Sequence, residues 1–172
     1  MNIILIGMRG SGKTTVGKLL SQKIGYMFAE SDGLIEASVR ENIQKYVEKH
    51  GWPEFRELES KIISKIVKSD KTVISTGGGV VKRQKNIDNL KRNGILILLS
   101  AKVKTLYSRI GATRSRPLLT NAKSIKDDLN EVFKKRKSLY EKVADYIIDV
   151  NNKNIQQVVD EIIFYLKKEK HL

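Results

Sequence analysis

Cysteine is absent from the 172-residue chain, and proline occurs only twice. The first absence excludes a disulfide-stapled scaffold, a thiolate zinc site and a cysteine nucleophile. Aromatic residues are scarce at 6% of the chain, and none are interleaved on a basic stripe, which argues against a single-stranded nucleic-acid surface. No apolar run is long enough to span a bilayer, and MNIILIGMRG is too short an apolar stretch for a secretory leader, so a cytoplasmic protein without a membrane partner is expected. Acidic residues are also few, 19 against 33 basic ones, giving a formal net charge of +14. Such an excess suits anionic partners: nucleic acid, a lipid surface or small molecules. Its lysines are scattered along many segments, so no physiological nucleic-acid partner is expected, only weak and salt-sensitive binding. With 40% apolar and 30% charged residues, the chain has the balance of one folded domain, residues 1–172.

Periodicity supports an α/β class. Short apolar runs predict strands at Asn2–Ile6, Tyr26–Ala29, Thr72–Ser75, Ile95–Leu99 and Tyr146–Val150. Most lack the alternation of a half-exposed strand, as expected for a parallel sheet covered on both faces. Amphipathic stretches predict helices at Lys13–Ile24, Asp32–Lys49, Pro53–Ser69, Lys82–Arg92, Val103–Ile110, Ser124–Val143 and Ile155–Lys168. Strand–helix alternation of this kind predicts a doubly wound sheet. Pro53 suits a first helical turn, and Pro117 falls in an irregular basic segment, Gly111–Ala122, read as a surface loop.

Glycine is concentrated where chemistry is expected. Six of the twelve glycines fall in two places, at Gly7, Gly10 and Gly12 and at Gly77, Gly78 and Gly79. The first group lies in GMRGSGKT, which matches G-x-x-x-x-G-K-[ST] between a predicted strand and a predicted helix. Glycines there let backbone N–H groups converge on phosphate oxygens, and the helix N-terminus adds a favourable dipole. Lys13 is expected at the β- and γ-phosphates and the Thr14 hydroxyl on Mg²⁺, with Arg9, Gly10, Ser11, Gly12 and Thr15 completing the nucleotide loop. The second group, in VISTGGGVV, follows a strand and exposes backbone donors at the carboxyl end of the sheet, where ligands bind in open α/β folds. Glu30 and Asp32 sit just beyond the second strand, spaced to face the P-loop metal and an acceptor, and Asp32 is also suited to cap the following helix. Arginine is rare beside lysine, nine against 24, so Arg56, Arg109, Arg116 and Arg136 stand out as candidates for bidentate anion recognition.

Together these segments resemble the shikimate kinase family across about the first 150 positions. The landmarks are GMRGSGKTTVG, the Glu30–Asp32 pair, EFRELE at Glu54–Glu59, VISTGGG, Arg109 followed by RPLL at Arg116–Leu119, and KRKSLYEKVADYIID at Lys135–Asp149. The resemblance implies a three-layer P-loop kinase fold with a five-stranded parallel sheet flanked by helices, a substrate-binding segment at about 32–60 and a mobile lid at about 111–123. It implies transfer of the γ-phosphoryl group of ATP, with one Mg²⁺, to the 3-hydroxyl of shikimate, by a monomer. By the same resemblance Asp32 contacts the shikimate hydroxyls and helps deprotonate or orient the acceptor. Arg56 and Arg136 clamp the shikimate carboxylate, and Gly77, Gly78 and Gly79 supply contacts to the same ligand. Arg116 closes on the phosphates, Arg109 lies near the adenine, Arg9 lies close to the substrates, and Lys153 marks a position near the adenine. Thr14, Glu30 and Asp32 form the implied metal site.

Two residues depart from the family pattern. Glu30 stands where an aspartate is usual, and Trp52 replaces the acid that usually follows Gly51. Kinases for gluconate or for nucleoside monophosphates share the P-loop but are not expected to combine STGGG with both distant arginines.

Overall fold

The computed structural model describes residues 1–110, 118–120 and 122–172. Five strands form one parallel sheet: β1 (Asn2–Ile6), β2 (Met27–Glu30), β3 (Thr72–Ser75), β4 (Gly94–Ser100) and β5 (Tyr146–Asp149). Their order is β2-β3-β1-β4-β5. Every residue of β1 and β3 is buried, so the unbroken apolar runs mark strands covered on both faces, as a parallel sheet requires. Ile3, Ile4, Leu5 and Ile6 are fully withdrawn from solvent, and burying each side chain contributes about 1.5–3 kcal/mol.

Flanking the sheet are α1 (Lys13–Ile24), α2 (Ser31–Val39), α3 (Ile43–Ile66), α4 (Gln84–Arg92), α5 (Val103–Ile110), α6 (Ile125–Val143) and α7 (Ile155–Lys168). Helix α1 packs beside α7, α3 beside α4, and α5 beside α6. No helix among the described residues is long and apolar enough to cross a membrane. A second, smaller cluster of Ile35, Tyr46, Phe55 and Ile62 joins α2 to α3 away from the main core. This cluster gives the 32–60 segment a base of its own.

The main departure from sequence expectation lies in that segment. Two helices meeting near residues 49–53 were expected, but the chain breaks at 40–42 instead. Arg40 adopts a left-handed φ of 56° and ends α2. Asn42 then caps α3 by accepting a 2.8 Å hydrogen bond from the Lys45 N–H. The expected break survives as a kink inside α3, where Gly51 has φ 79° and ψ 166° just before Pro53. Asp32 does not cap α2 as expected: Glu30 is the N-cap, without a side-chain hydrogen bond, and Asp32 lies in the first turn.

The sheet order also locates the site. Strand β1 is central: the chain runs from it to β2 at one edge, returns to β3 beside it, then crosses over β1 to β4 and on to β5. The switch point therefore lies at its carboxyl end, where the GMRGSGKT loop emerges, and ligands bind at such switch points.

Gly17 tests how tightly α1 is seated. A Cβ there would lie 2.7 Å from Phe28 Cε2 and 3.3 Å from Leu5 Cδ1. Helix propensity alone favours alanine by about 1 kcal/mol, whereas overpacking typically costs about 1–3 kcal/mol. Gly17→Ala is expected to lower the denaturant midpoint of unfolding. A higher midpoint would show that α1 can move off β2 without loss.

Candidate active site

The loop between β1 and α1 builds the first half of the site. Gly12, at φ 94°, is the left-handed N-cap that turns the chain into α1. Gly10, at φ 79°, would place a Cβ only 2.7 Å from Ile110 Cγ1, so both the conformation and the space demand glycine. Lys13 is buried, and its Nζ donates to the carbonyls of Gly7 and Met8, each at 2.9 Å. Arg109 crosses from α5 to donate to the Ser11 carbonyl at 3.4 Å and the Val150 carbonyl at 3.1 Å. The loop encloses a cavity of about 260 Å³, lined by Arg9, Gly10, Gly12, Lys13, Thr14, Thr15, Glu30, Asp32 and Arg109 among others. A glycine-rich turn, the N-terminus of α1 and three cations suit it to an oligophosphate.

Glu30 and Thr14 offer hard oxygen donors in this cavity. The Thr14 hydroxyl donates to Glu30 Oε1 at 2.5 Å, and Asp32 lines the same space. No cluster of three or more His, Cys, Asp or Glu side chains suited to a metal occurs among the described residues. This donor set fits Mg²⁺, which is usually held by one or two carboxylates and substrate phosphates instead of an all-protein cage.

A second cavity of about 370 Å³ adjoins the first, lined by Asp32, Trp52, Arg56, Glu59, Gly77, Gly78, Gly79 and Arg136 among others. Arg9, Asp32 and Gly78 line both cavities. Arg136, on α6, donates to the Gly78 carbonyl at 2.9 Å. The buried Tyr140 hydroxyl donates to the same carbonyl. Arg56, on α3, pairs with Glu59 Oε1 at 2.8 Å.

Two of the three glycines, Gly77 and Gly79, are needed for a reason that the sequence does not show. None of Gly77, Gly78 and Gly79 has a positive φ, so turn conformation does not require them. A Cβ on Gly77 would instead lie 2.5 Å from Asp32 Oδ1, and one on Gly79 only 2.2 Å from Arg56 Nη2. The glycines make room for the carboxylate and the guanidinium against bare backbone.

Most of the residues expected from the sequence converge here. Arg9, Gly10, Gly12, Lys13, Thr14, Thr15 and Arg109 surround the first cavity, and Ser11 is buried beneath it. Asp32, Arg56, Gly77, Gly78, Gly79 and Arg136 surround the second. Lys153 lines neither, and its ammonium pairs with Glu161 at 2.5 Å. Arg116 lies outside the described residues, as does most of the expected lid segment. Glu59 and Tyr140 carry site geometry without having been singled out. Both lie inside quoted motifs, EFRELE and KSLYEK, but a lone helical acid or tyrosine carries no signal of burial.

Comparison with known proteins agrees with the geometry. The family model described as shikimate kinase matches residues 9–167. A shikimate kinase of Thermodesulfovibrio yellowstonii is 38% identical over 162 residues, covering 94% of this chain and 92% of its own. The solved structure of the Acinetobacter baumannii shikimate kinase in complex with shikimate superposes with a TM-score of 0.93 at 32% identity, covering 98% of this chain and 94% of that one. The fold extends further, to a gluconokinase from Sinorhizobium meliloti with a TM-score of 0.62 at 17% identity, covering 97% of this chain and 91% of that one.

The state of Glu59 gives a test of the cluster. Burial pushes its carboxyl above the usual glutamate range, the Arg56 guanidinium pulls it back, and the nearby Asp32 charge pushes it up again. A carboxyl raised in the fold binds more protons in the native than in the unfolded state. Its stabilising contribution is therefore complete below its unfolded pKa, near the ordinary glutamate value, and is lost as pH rises through the folded value. Glu59→Gln is expected to gain stability relative to wild type as pH rises from mildly acidic to neutral, measured by thermal midpoints at each pH. The opposite trend would show that pairing with Arg56 outweighs burial.

Proposed function

The chain belongs to the shikimate kinase family, and we propose that its two cavities hold ATP and shikimate with Asp32 between them. The reaction transfers the γ-phosphoryl group of ATP to the 3-hydroxyl of shikimate, giving shikimate 3-phosphate and ADP. The observation that carries the division of labour is that Asp32, Arg9 and Gly78 border both cavities. A phosphoryl group leaving one ligand and a hydroxyl on the other would meet beside the Asp32 carboxylate.

Phosphoryl transfer asks the protein chiefly to position its reactants and offset developing charge. The P-loop N–H groups and Lys13 bind the phosphates, and Lys13 exchanges its carbonyl contacts for phosphate oxygens. Thr14 and Glu30 would hold Mg²⁺, with Asp32 beside them. When bound, the ion would supply neutralising charge for the phosphates. Asp32 orients the acceptor hydroxyl and takes its proton as the new P–O bond forms. Arg56 and Arg136 clamp the shikimate carboxylate, because each offers a planar fork of donors in a largely buried wall. Arg109 borders the adenine, and we assign Lys153 no direct contact. Both cavities are built from this one chain, which suits action as a monomer, and a cytoplasmic location is part of the same proposal.

A coupled assay offering shikimate, quinate, gluconate and AMP is expected to release ADP rapidly with shikimate alone, and no turnover of shikimate would overturn the reading. Asp32→Asn is expected to lower kcat by about 10²–10⁴, the usual contribution of a positioned general base. Glu30→Asp, which keeps a carboxylate at the metal, is expected to hold kcat within about tenfold of wild type. Asp32→Asn turning over near the wild-type rate would remove the acceptor-activation role.

A further inference from the structure

A buried carboxylate that borders neither cavity connects to both. Asp128, in the first turns of α6, is fully buried and is absent from both cavity linings. Its Oδ1 accepts from the Leu119 N–H at 2.7 Å, the Thr120 N–H at 2.7 Å and the Thr120 hydroxyl at 2.9 Å. Its Oδ2 pairs with Arg9 Nη2 at 2.5 Å. The two sets of partners lead to different places. Arg9 is a P-loop residue lining both cavities, whereas Leu119 lines only the larger one.

The chemistry separates two explanations for this residue. Anchoring the 119–120 backbone requires only an acceptor oxygen, which a neutral amide would provide. A charged carboxylate in a buried position is costly unless a cation compensates it, and the compensating cation here is Arg9. The charge of Asp128 is therefore directed at the P-loop, and its second oxygen at the wall of the larger cavity. A guanidinium held on one side by a buried carboxylate is fixed in direction, so its remaining donors face a defined place.

We propose that Asp128 is a positioning residue for the phosphoryl transfer: one buried carboxylate orients Arg9 at the junction of the two cavities and holds Leu119 in the acceptor wall. This deepens the functional reading above and rests on it.

The test is a double-mutant cycle on kcat/KM for shikimate, using wild type, Asp128→Asn, Arg9→Gln and the double variant, with thermal midpoints measured for all four. Asp128→Asn keeps an acceptor for the 119–120 donors and removes the charge and the acceptor that face Arg9. It is expected to lower kcat/KM about tenfold in the wild-type background and less than about twofold when Arg9 is already glutamine, because coupled residues are not additive. Equal proportional losses in both backgrounds would reduce Asp128 to a structural residue and overturn the proposal. If Asp128→Asn does not fold, Thr120→Val reads the link from its other end by removing one donor to Oδ1. A shikimate KM raised about two- to fivefold with little change in kcat would support the proposal, and an unchanged KM would overturn it. Wild-type enzyme inactive on shikimate would instead defeat the functional reading, so the two failures are distinct.

Discussion

The parallel pairing of β1 with β3 fixes where everything else in the site can be. Ile3, Ile4 and Leu5 stand opposite Val73, Ile74 and Ser75. The two strands end together, and their glycine-rich continuations emerge side by side. Thr76 secures this exit, its N–H and its hydroxyl both donating to the Leu5 carbonyl at 3.2 and 2.9 Å. A slip of one residue in a pleated strand turns every side chain to the opposite face, which in the doubly buried β1 and β3 would exchange side chains between two packed layers. From this one constraint follow the adjacency of the two cavities and the placing of Gly78 in both.

The second organising condition is electrostatic. Arg9, Arg56 and Arg136 crowd one cavity wall, a concentration of like charge that would oppose folding if nothing compensated it. Each cation has a separate solution. Arg9 uses the buried Asp128, Arg56 the buried Glu59, and Arg136 the Gly78 carbonyl. These partners fix the guanidinium groups before any ligand arrives, so less ordering remains when an anion binds. Most of the +14 net charge lies elsewhere, chiefly on lysines scattered along the helices; charge of this kind favours solubility and draws anions from a distance.

How far the sequence could disclose this site depended on how local each cause was. The P-loop was legible because strand, glycine turn, lysine, hydroxyl and helix follow one another within a single segment. The sheet was legible because double burial leaves unbroken apolar runs. The position of STGGG was legible but not its reason: the requirement for glycine at 77 and 79 comes from Asp32 and Arg56, remote in sequence. The end of α2 was not legible because Arg40 is an unusual residue in a left-handed conformation and has no signature. Asp128 was invisible for a related reason. An acid early in a helix is ordinarily a solvated residue favoured by the helix dipole, and only tertiary structure turns it into a buried partner for Arg9.

Trp52 shows how a departure from the family pattern can be absorbed by different physics. An acid at this position would add negative charge at the entry to the arginine cluster. The tryptophan ring instead lies 5.2 Å from the Arg56 guanidinium, with the Phe55 ring at 5.0 Å, and the two rings meet edge to face. Aromatic faces attract a guanidinium through the ring quadrupole without neutralising it. Arg56 is thus held by a single buried carboxylate and by two rings that leave its charge in place. A carboxylate ligand entering the larger cavity would meet a guanidinium already fixed in orientation, yet less neutralised than one flanked by two acids. Trp52 thus adds an aromatic contact to the single carboxylate pairing of Arg56 and leaves its charge free to attract an anion.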